Sequence, residues 1–243
     1  MSKQERINDM LNMETRMSKW KNPQALDFVY GATSRYSFVN WQTGNDDSIY
    51  YNLNLPAFFK TQQVMPPAET SILERDYHPE LLDISFNNLD GSKNPTLEEY
   101  IKGPKQVQAM IMAHKGKVVF ETSPGMRQGA PHVWMSASKT TVSLTATMLW
   151  EEGKLDVEKP ITHYVPDLKG TAWDAVSVKN AMNMSSGLDV EETFESLTNP
   201  KSFIAGFMTR SFESGHSSWR DWAKSAQPLP NEKPGDKFRY STC

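Results

Sequence analysis

The segment that decides the fold of this chain is WMSASKTTVSLTATMLWEEGKLD, residues 134–156. Its middle predicts a helix of about four or five turns that ends at Gly153, since glycine commonly follows the last helical residue in a left-handed conformation. Apolar side chains lie all round this helix, among them Val142, Leu144, Met148 and Trp150. A helix that is apolar on every side belongs in a core. The sequence therefore predicts a buried central helix.

Ser136 and Lys139 lie three residues apart at the start of this helix, so they share one face of its first turn. A serine hydroxyl is a poor nucleophile unless a neighbouring base takes its proton. A lysine can be that base where burial and the positive end of a helix disfavour its charged form. The free N–H of Ser136 is also a candidate donor to an oxyanion. This pattern predicts a serine nucleophile activated by a lysine.

The Ser-x-x-Lys spacing is weak evidence on its own, because roughly two matches are expected by chance in a chain of this composition. A second match lies at 18–21, in the polar N-terminal segment. Without further context, a helix-capping serine followed by a solvated lysine would be the simpler interpretation. The rest of the sequence has to decide between the two.

Further segments follow in order: GKLD (153–156), PITHYVPDL (160–168), VSVKNAMNMSSGL (176–188) and PGDKFRYS (234–241). Together with residues 134–139 they resemble the serine β-lactamase-related family. That family includes class C β-lactamases, D-Ala-D-Ala carboxypeptidases, family VIII esterases and 6-aminohexanoate-dimer hydrolases. The resemblance covers about Val107 to Thr242, and the preceding FFKTQQVMPPA (58–68) looks most like the 6-aminohexanoate-dimer hydrolase branch.

The resemblance implies a role for each of four residues. Ser136 is the nucleophile and Lys139 its proton acceptor. Tyr240 matches the tyrosine of the family's Tyr-x-Asn element, which helps to pass the proton to the leaving group. Thr242 stands where the family has asparagine, so it is the candidate substrate-binding residue. Because a hydroxyl cannot present the paired donor and acceptor of an amide, Thr242 favours an ester or linear amide over a β-lactam or peptidoglycan substrate.

The sequence predicts a mixed α/β (α+β) protein, with an antiparallel sheet flanked by helices. VQAMIMAH (107–114) and KVVFETS (117–123) indicate a hairpin with its turn at 114–117. Residues 109–113 are apolar on both faces, which predicts a strand covered on both sides. The resemblance implies a β-lactamase/transpeptidase-like fold with a helical subdomain at about 156–226.

Two segments are predicted: an N-terminal extension at 1–103, and the N-terminal part of a β-lactamase-like domain at 104–243. The extension begins with an amphipathic stripe that includes Met10, Met17 and Trp20 and that indicates a docking face. The chain ends at Cys243, whereas the family continues for many residues beyond its tyrosine. We therefore expect the C-terminal half of the domain as a missing partner, an open sheet edge, and Ser136 open to solvent on one side. We expect the isolated chain to be inactive and prone to aggregate.

The composition, 38% hydrophobic and 23% charged, is typical of a soluble globular protein. A net charge of −3 gives no footprint for nucleic acid or an anionic membrane as partner. The single cysteine excludes an internal disulfide, and the N-terminus lacks the apolar run of an export signal, so a cytoplasmic location is the expectation. The histidines show no metal-ligand spacing, and neither a metal nor a cofactor is predicted.

The function predicted from the sequence is hydrolysis of a small-molecule ester or linear amide through an acyl-Ser136 intermediate. One alternative is a β-lactamase or D-Ala-D-Ala carboxypeptidase. The other is a non-catalytic member of the same fold that binds an acyl-bearing ligand. The absence of a Gly-x-Ser-x-Gly segment disfavours an α/β-hydrolase.

Overall fold

The structure, a computed structural model, describes residues 1–58, 60–85, 95–104, 106–214 and 219–242. Cys243, the single cysteine, and Phe59 of the segment 58–68 lie outside the described residues. The chain forms two compact units, Met1–Arg35 with Gly44–His132, and Tyr36–Thr43 with Val133–Cys243. These units differ from the segments 1–103 and 104–243, because the hairpin packs with the first unit. The segments stay a prediction about domain organisation.

Helices make up most of the regular secondary structure of the described residues. The α-helices, in chain order, are α1 (Lys3–Leu11), α2 (Leu26–Ser34), α3 (Phe38–Trp41), α4 (Asp46–Leu53), α5 (Leu97–Lys102), α6 (Lys139–Glu151), α7 (Ile161–Tyr164), α8 (Val178–Met182), α9 (Phe194–Thr198), α10 (Phe203–Thr209) and α11 (Trp219–Ala223). Turns of 3-10 helix lie at Arg16–Lys21, Leu55–Ala57, Pro79–Asp83, Met135–Ser138, Pro166–Leu168 and Ala172–Ala175, and a π-helical turn at Arg210–Ser214. The strands are β1 (Glu74–Arg75), β2 (Met110–His114) and β3 (Lys117–Thr122).

The sheet of the first unit has three strands in the order β1-β3-β2. β2 and β3 form the predicted antiparallel hairpin, and its turn residues Lys115 and Gly116 have φ of 50° and 77°. Two successive positive φ angles match the twist of a two-residue hairpin, so the turn prediction is confirmed. β1 pairs in parallel with β3, which makes the sheet mixed rather than a single antiparallel ribbon. No strand within the described residues pairs with the outer edge of β2, as expected.

The prediction that β2 is covered on both faces is wrong. Alternate residues of β3 are buried, with Phe120 fully enclosed, whereas Ile111 of β2 is 61% exposed. The reason is that the described chain covers only one face of the hairpin. The residues that cover this one face form an apolar cluster with Phe120, and they are Met10, Met13, Leu82 and Ile101.

The N-terminal stripe forms the predicted docking face, divided between α1 and a 3-10 turn. Met10 is fully buried, and Met17 and Trp20 are nearly so. The second Ser-x-x-Lys match falls in this turn, where the Ser18 hydroxyl donates to the carbonyl of Pro124 at 3.1 Å. Ser18 therefore ties the turn to a distant loop, and the match has a structural explanation.

The second unit has its own apolar core among short helices, and the described residues of the segment 156–226 include α7 to α11. The helical subdomain at about 156–226 stays a prediction. The buried members of this core are Leu168, Trp173, Val176, Leu188, Val190 and Ala226. The indole N–H of Trp173 donates to the carbonyl of Ala223 at 2.9 Å, which ties the end of α11 to the core. This core anchors residues 188–190, and the chain that follows them leads to the candidate site.

The end of α6 confirms the predicted glycine cap. Gly153 has φ of 70° and donates its N–H to the carbonyl of Trp150 at 2.9 Å. The N–H of Lys154 donates to the carbonyl of Leu149 at 2.8 Å. These two bonds satisfy carbonyls that the helix leaves unpaired, which is the Schellman arrangement.

The prediction that α6 is buried is wrong for the described part of the chain. None of its side chains is buried, and Val142 and Leu144 are 69% and 62% exposed. An apolar helix surface is buried only where another element packs on it. The described residues provide no such cover.

No helix within the described residues is both long enough and apolar enough to cross a membrane.

Candidate active site

Ser136 lies in the 3-10 turn Met135–Ser138, which runs directly into α6. Met135, the residue before it, has φ of 47°, a left-handed backbone conformation that residues other than glycine rarely adopt. The Ser138 hydroxyl donates to the Met135 carbonyl at 2.6 Å and closes the turn. Strained backbone of this kind clusters at functional sites. The sequence offered no signal for it, because methionine has no turn preference of its own.

Lys139 is the first α-helical residue, and its ammonium Nζ donates to Ser136 Oγ at 2.8 Å. Lys139 is half-buried, whereas Ser136 is exposed, as predicted. A base must lie within hydrogen-bond reach of the proton that it removes, about 2.6–3.2 Å between heavy atoms. The pair satisfies this condition. When the amine is neutral, the direction of this hydrogen bond can reverse, so that the Ser136 hydroxyl donates to Lys139 Nζ.

Tyr240 and Thr242 lie about one hundred residues further along the chain and contact the same lysine. Lys139 Nζ is 5.3 Å from the centroid of the Tyr240 ring, a distance at which the ring face attracts an ammonium. Lys139 Nζ also donates to Thr242 Oγ1 at 3.1 Å. Both residues are half-buried. The structure thus brings all four predicted site residues together, with Lys139 as their common neighbour.

A cluster of ionised side chains anchors the residue before Tyr240. The Arg239 guanidinium donates to both carboxylate oxygens of Glu232, at 2.8 and 2.7 Å, and it also pairs with Glu191. The Glu232 contact raises the pKa of Arg239, and in return the guanidinium lowers the pKa of Glu232. Because both groups stay ionised near neutral pH, this two-pronged charged contact fixes the chain where it enters the site.

The Pro-Gly turn at the start of the segment 234–241 lies against the end of the segment 176–188. Gly235, at φ 95°, donates its N–H to the carbonyl of Ser185 at 2.8 Å. Gly187 has φ of 70°, and a Cβ there would lie only 2.9 Å from the Lys233 carbonyl carbon. Two backbones approach so closely here that only glycine fits. The Pro-Gly turn is thereby docked on the Ser-Ser-Gly segment.

Glu192 is a residue of this site that the sequence did not reveal. Its backbone N–H donates to the Tyr240 carbonyl at 2.8 Å, and its carboxylate accepts the N–H of Thr242. It follows the recognisable segment 176–188 in a stretch of ordinary polar residues. Only the fold brings it to Tyr240 and Thr242.

A family model described as Beta-lactamase matches residues 104–243, more than half of the chain. The chain belongs to the β-lactamase family. The resemblance to serine β-lactamase-related hydrolases predicted from the sequence is therefore confirmed, and the known relatives of this β-lactamase-family chain include hydrolases.

Two curated relatives are similar over short stretches. A β-lactamase from Providencia stuartii is 46% identical over 55 residues, covering 23% of this chain and 14% of that protein. A 6-aminohexanoate-dimer hydrolase from Paenarthrobacter ureafaciens is 34% identical over 84 residues, covering 32% of this chain and 21% of that protein. A β-lactamase and a 6-aminohexanoate-dimer hydrolase are thus both among the curated relatives.

A solved structure of a Bacillus anthracis 6-aminohexanoate-dimer hydrolase homologue matches with a TM-score of 0.67 at 18% identity. The match covers 90% of this chain and 56% of that one. At this identity the likeness shows the fold alone. It confirms the predicted α+β, β-lactamase/transpeptidase-like fold, here helix-rich with a small mixed sheet. The chain spans little more than half the length of this relative.

Proposed function

We propose that this β-lactamase-family protein cleaves an ester or a linear amide through an acyl-Ser136 intermediate. The observation that carries the proposal is the position of Lys139 Nζ, 2.8 Å from Ser136 Oγ and 3.1 Å from Thr242 Oγ1. A non-catalytic binding protein has no need of a lysine that contacts both a serine hydroxyl and a tyrosine ring. The β-lactamase-family membership supports a serine hydrolase, and the residue roles are our proposal.

In the proposed reaction, Ser136 Oγ attacks the substrate carbonyl carbon while its proton passes to Lys139 Nζ. The carbonyl oxygen becomes an oxyanion, for which the Ser136 N–H is one candidate donor. Collapse of the tetrahedral intermediate breaks the bond to the leaving group. The leaving group takes the proton from Lys139 by way of the Tyr240 hydroxyl. A water molecule then gives a proton to Lys139 by way of Tyr240 and attacks the acyl carbon. The bond between that carbon and Ser136 Oγ breaks, Oγ takes the proton back from Lys139, and the carboxylic acid leaves.

Thr242 supports an ester or linear amide as the substrate class. Its hydroxyl can accept from Lys139 and donate to a substrate carbonyl at the same time. It cannot reproduce the paired donor and acceptor of an asparagine amide. A β-lactamase or D-Ala-D-Ala carboxypeptidase activity is the second candidate, favoured by the likeness to the Providencia stuartii β-lactamase.

We also propose that further sequence, corresponding to the C-terminal half of the domain, covers α6. The apolar surface of α6 is uncovered within the described residues, and the match covers only 56% of the Bacillus anthracis relative. We call this chain together with that further sequence the completed protein. A cytoplasmic location is part of the proposal.

The test of the activity uses the completed protein, a fluorophosphonate probe and mass spectrometry, followed by a hydrolysis screen. We expect one covalent adduct on Ser136 and turnover of short p-nitrophenyl esters or linear amides. Turnover of nitrocefin well above that of esters and amides would favour the β-lactamase alternative. No adduct on a folded protein would favour the non-catalytic alternative.

The uncovered surface of α6 predicts how the chain behaves alone. Exposed apolar surface of this size favours association, so the 243-residue chain should self-associate and bind a hydrophobic dye. Leu144→Lys should reduce both, as measured by light scattering and dye fluorescence. Val64→Lys is the matched control, because Val64 is also exposed but lies in a segment without helix or strand. A monodisperse chain that hydrolyses esters without binding the dye would contradict the proposal.

A further inference from the structure

We propose that Glu192 is a positioning residue that holds Tyr240 and Thr242 against Lys139. This inference rests on the proposed function, since Lys139 is the base whose neighbours Glu192 would place. Within the described residues, the hydrogen bonds of Glu192 to the site go to the backbone of the segment 240–242. It is therefore distinct from the residues that would meet the substrate.

Glu192 forms two bonds to alternate residues of that segment. Its backbone N–H donates to the Tyr240 carbonyl at 2.8 Å, and its carboxylate accepts the N–H of Thr242. In a parallel strand pair a backbone carbonyl would accept this second N–H, and here a charged side chain accepts it instead. Charge-assisted bonds of this kind are about twice as strong as neutral ones. The carboxylate thus fixes the backbone of Thr242, whose hydroxyl lies 3.1 Å from Lys139 Nζ.

The backbone of Glu192 is held independently of its carboxylate. Before it, Val190 is buried in the core, and Asp189 exchanges two bonds with Gln227, at 3.0 and 2.8 Å. After it, Thr193 and Ser196 form a reciprocal cap at the start of α9, at 3.0 and 2.8 Å. Because both flanks are fixed, removal of the Glu192 side chain should leave the path of the chain unchanged. The contact that is lost is the hydrogen bond from the Thr242 N–H to the carboxylate.

The lost contact should affect the chemical step more than the fold. A displacement of about 1 Å in a catalytic group can cost a hundredfold in rate. Without the carboxylate, Thr242 is free to move away from Lys139. We therefore expect a lower kcat, with a smaller change in KM.

The experiment compares Glu192→Gln, Glu192→Asp and Glu192→Ala in the completed protein, with Glu195→Gln as the matched control. Glu195 is exposed on α9, so its change removes one charge nearby without touching the segment 240–242. The glutamine side chain places an acceptor oxygen as far along as glutamate does. The aspartate side chain is one methylene shorter, and alanine has no acceptor for the Thr242 N–H. We expect rates of Ser136 labelling and kcat to fall in that order, with Glu192→Ala down by about tenfold to a hundredfold. Glu192→Gln should stay within a few-fold of the starting protein.

A second variant separates positioning from general loss of structure. Thr242→Ala should slow labelling in the starting protein and add little in Glu192→Ala, because both changes break the same chain of contacts. If Glu192→Ala fails to fold, Glu192→Asp takes its place in this cycle. Equal labelling rates in Glu192→Asp, Glu192→Ala and Glu195→Gln, or fully additive losses with Thr242→Ala, would overturn the inference.

Amide hydrogen exchange at Thr242 tests the contact without any activity. The exchange should speed up in Glu192→Ala and Glu192→Asp but not in Glu195→Gln. If Ser136 is never labelled while this exchange pattern appears, the proposed function fails and the contact stands. If Ser136 is labelled and Thr242 exchanges equally in all variants, the inference fails and the proposed function stands.

Discussion

Replacement of Ser136 by alanine is expected to abolish covalent labelling and to reduce turnover of the completed protein by about a millionfold, as is typical when the nucleophile of a serine hydrolase is removed. The physical reason is that no other hydroxyl among the four site residues lies at the head of α6. The N-cap position of α6 is held by Ser138 and not by Ser136, and the bond between the Ser136 hydroxyl and Lys139 is at the surface. Stability should therefore change by no more than about 0.5 kcal/mol. Mass spectrometry and thermal unfolding measure the two effects.

Ser18→Ala is the matched control, because Ser18 begins the other Ser-x-x-Lys match. It should leave labelling intact and lower stability by about 1 kcal/mol, since its bond to the Pro124 carbonyl is lost. A covalent adduct that persisted in Ser136→Ala would show that the nucleophile is elsewhere.

Replacement of Lys139 by arginine is expected to slow acylation by about a hundredfold or more. A guanidinium stays protonated at any working pH, so it can pair with Ser136 but cannot take its proton. Tyr240→Phe should have a similar effect for a different reason. It keeps the ring face that lies 5.3 Å from Lys139 Nζ and removes only the hydroxyl that would relay the proton. Single-turnover labelling kinetics would measure both.

Lys19→Arg is the matched control for the lysine. Lys19 lies in the second Ser-x-x-Lys match and pairs with Asp46 at 2.6 Å, a contact that arginine can keep. Its labelling rate should equal that of the starting protein. Near-normal acylation by Lys139→Arg would leave Lys139 only a structural role, and near-normal acylation by Tyr240→Phe would exclude the proton relay.

The sequence predicted the parts of this protein whose cause is local. The hairpin turn at Lys115 and Gly116 and the end of α6 at Gly153 depend on the backbone preferences of one or two residues. The Ser136–Lys139 pair depends on helical spacing alone. Tyr240 and Thr242 were placed by the order of segments that resembles the serine β-lactamase-related family, and the structure brings them to the same lysine.

Other features were decided only by the tertiary structure, because they depend on residues that are far apart in the chain. The parallel pairing of β1 with β3 joins residues more than forty positions apart, and two residues of strand carry too little pattern to be recognised. The exposure of α6 is set by what packs on it, which the apolar pattern of the helix cannot report. Glu192 meets Thr242 across fifty residues, through a backbone amide that any residue could offer. The strain at Met135 likewise comes from the turn that the surrounding fold imposes, since a methionine gives no reason to expect φ of 47°.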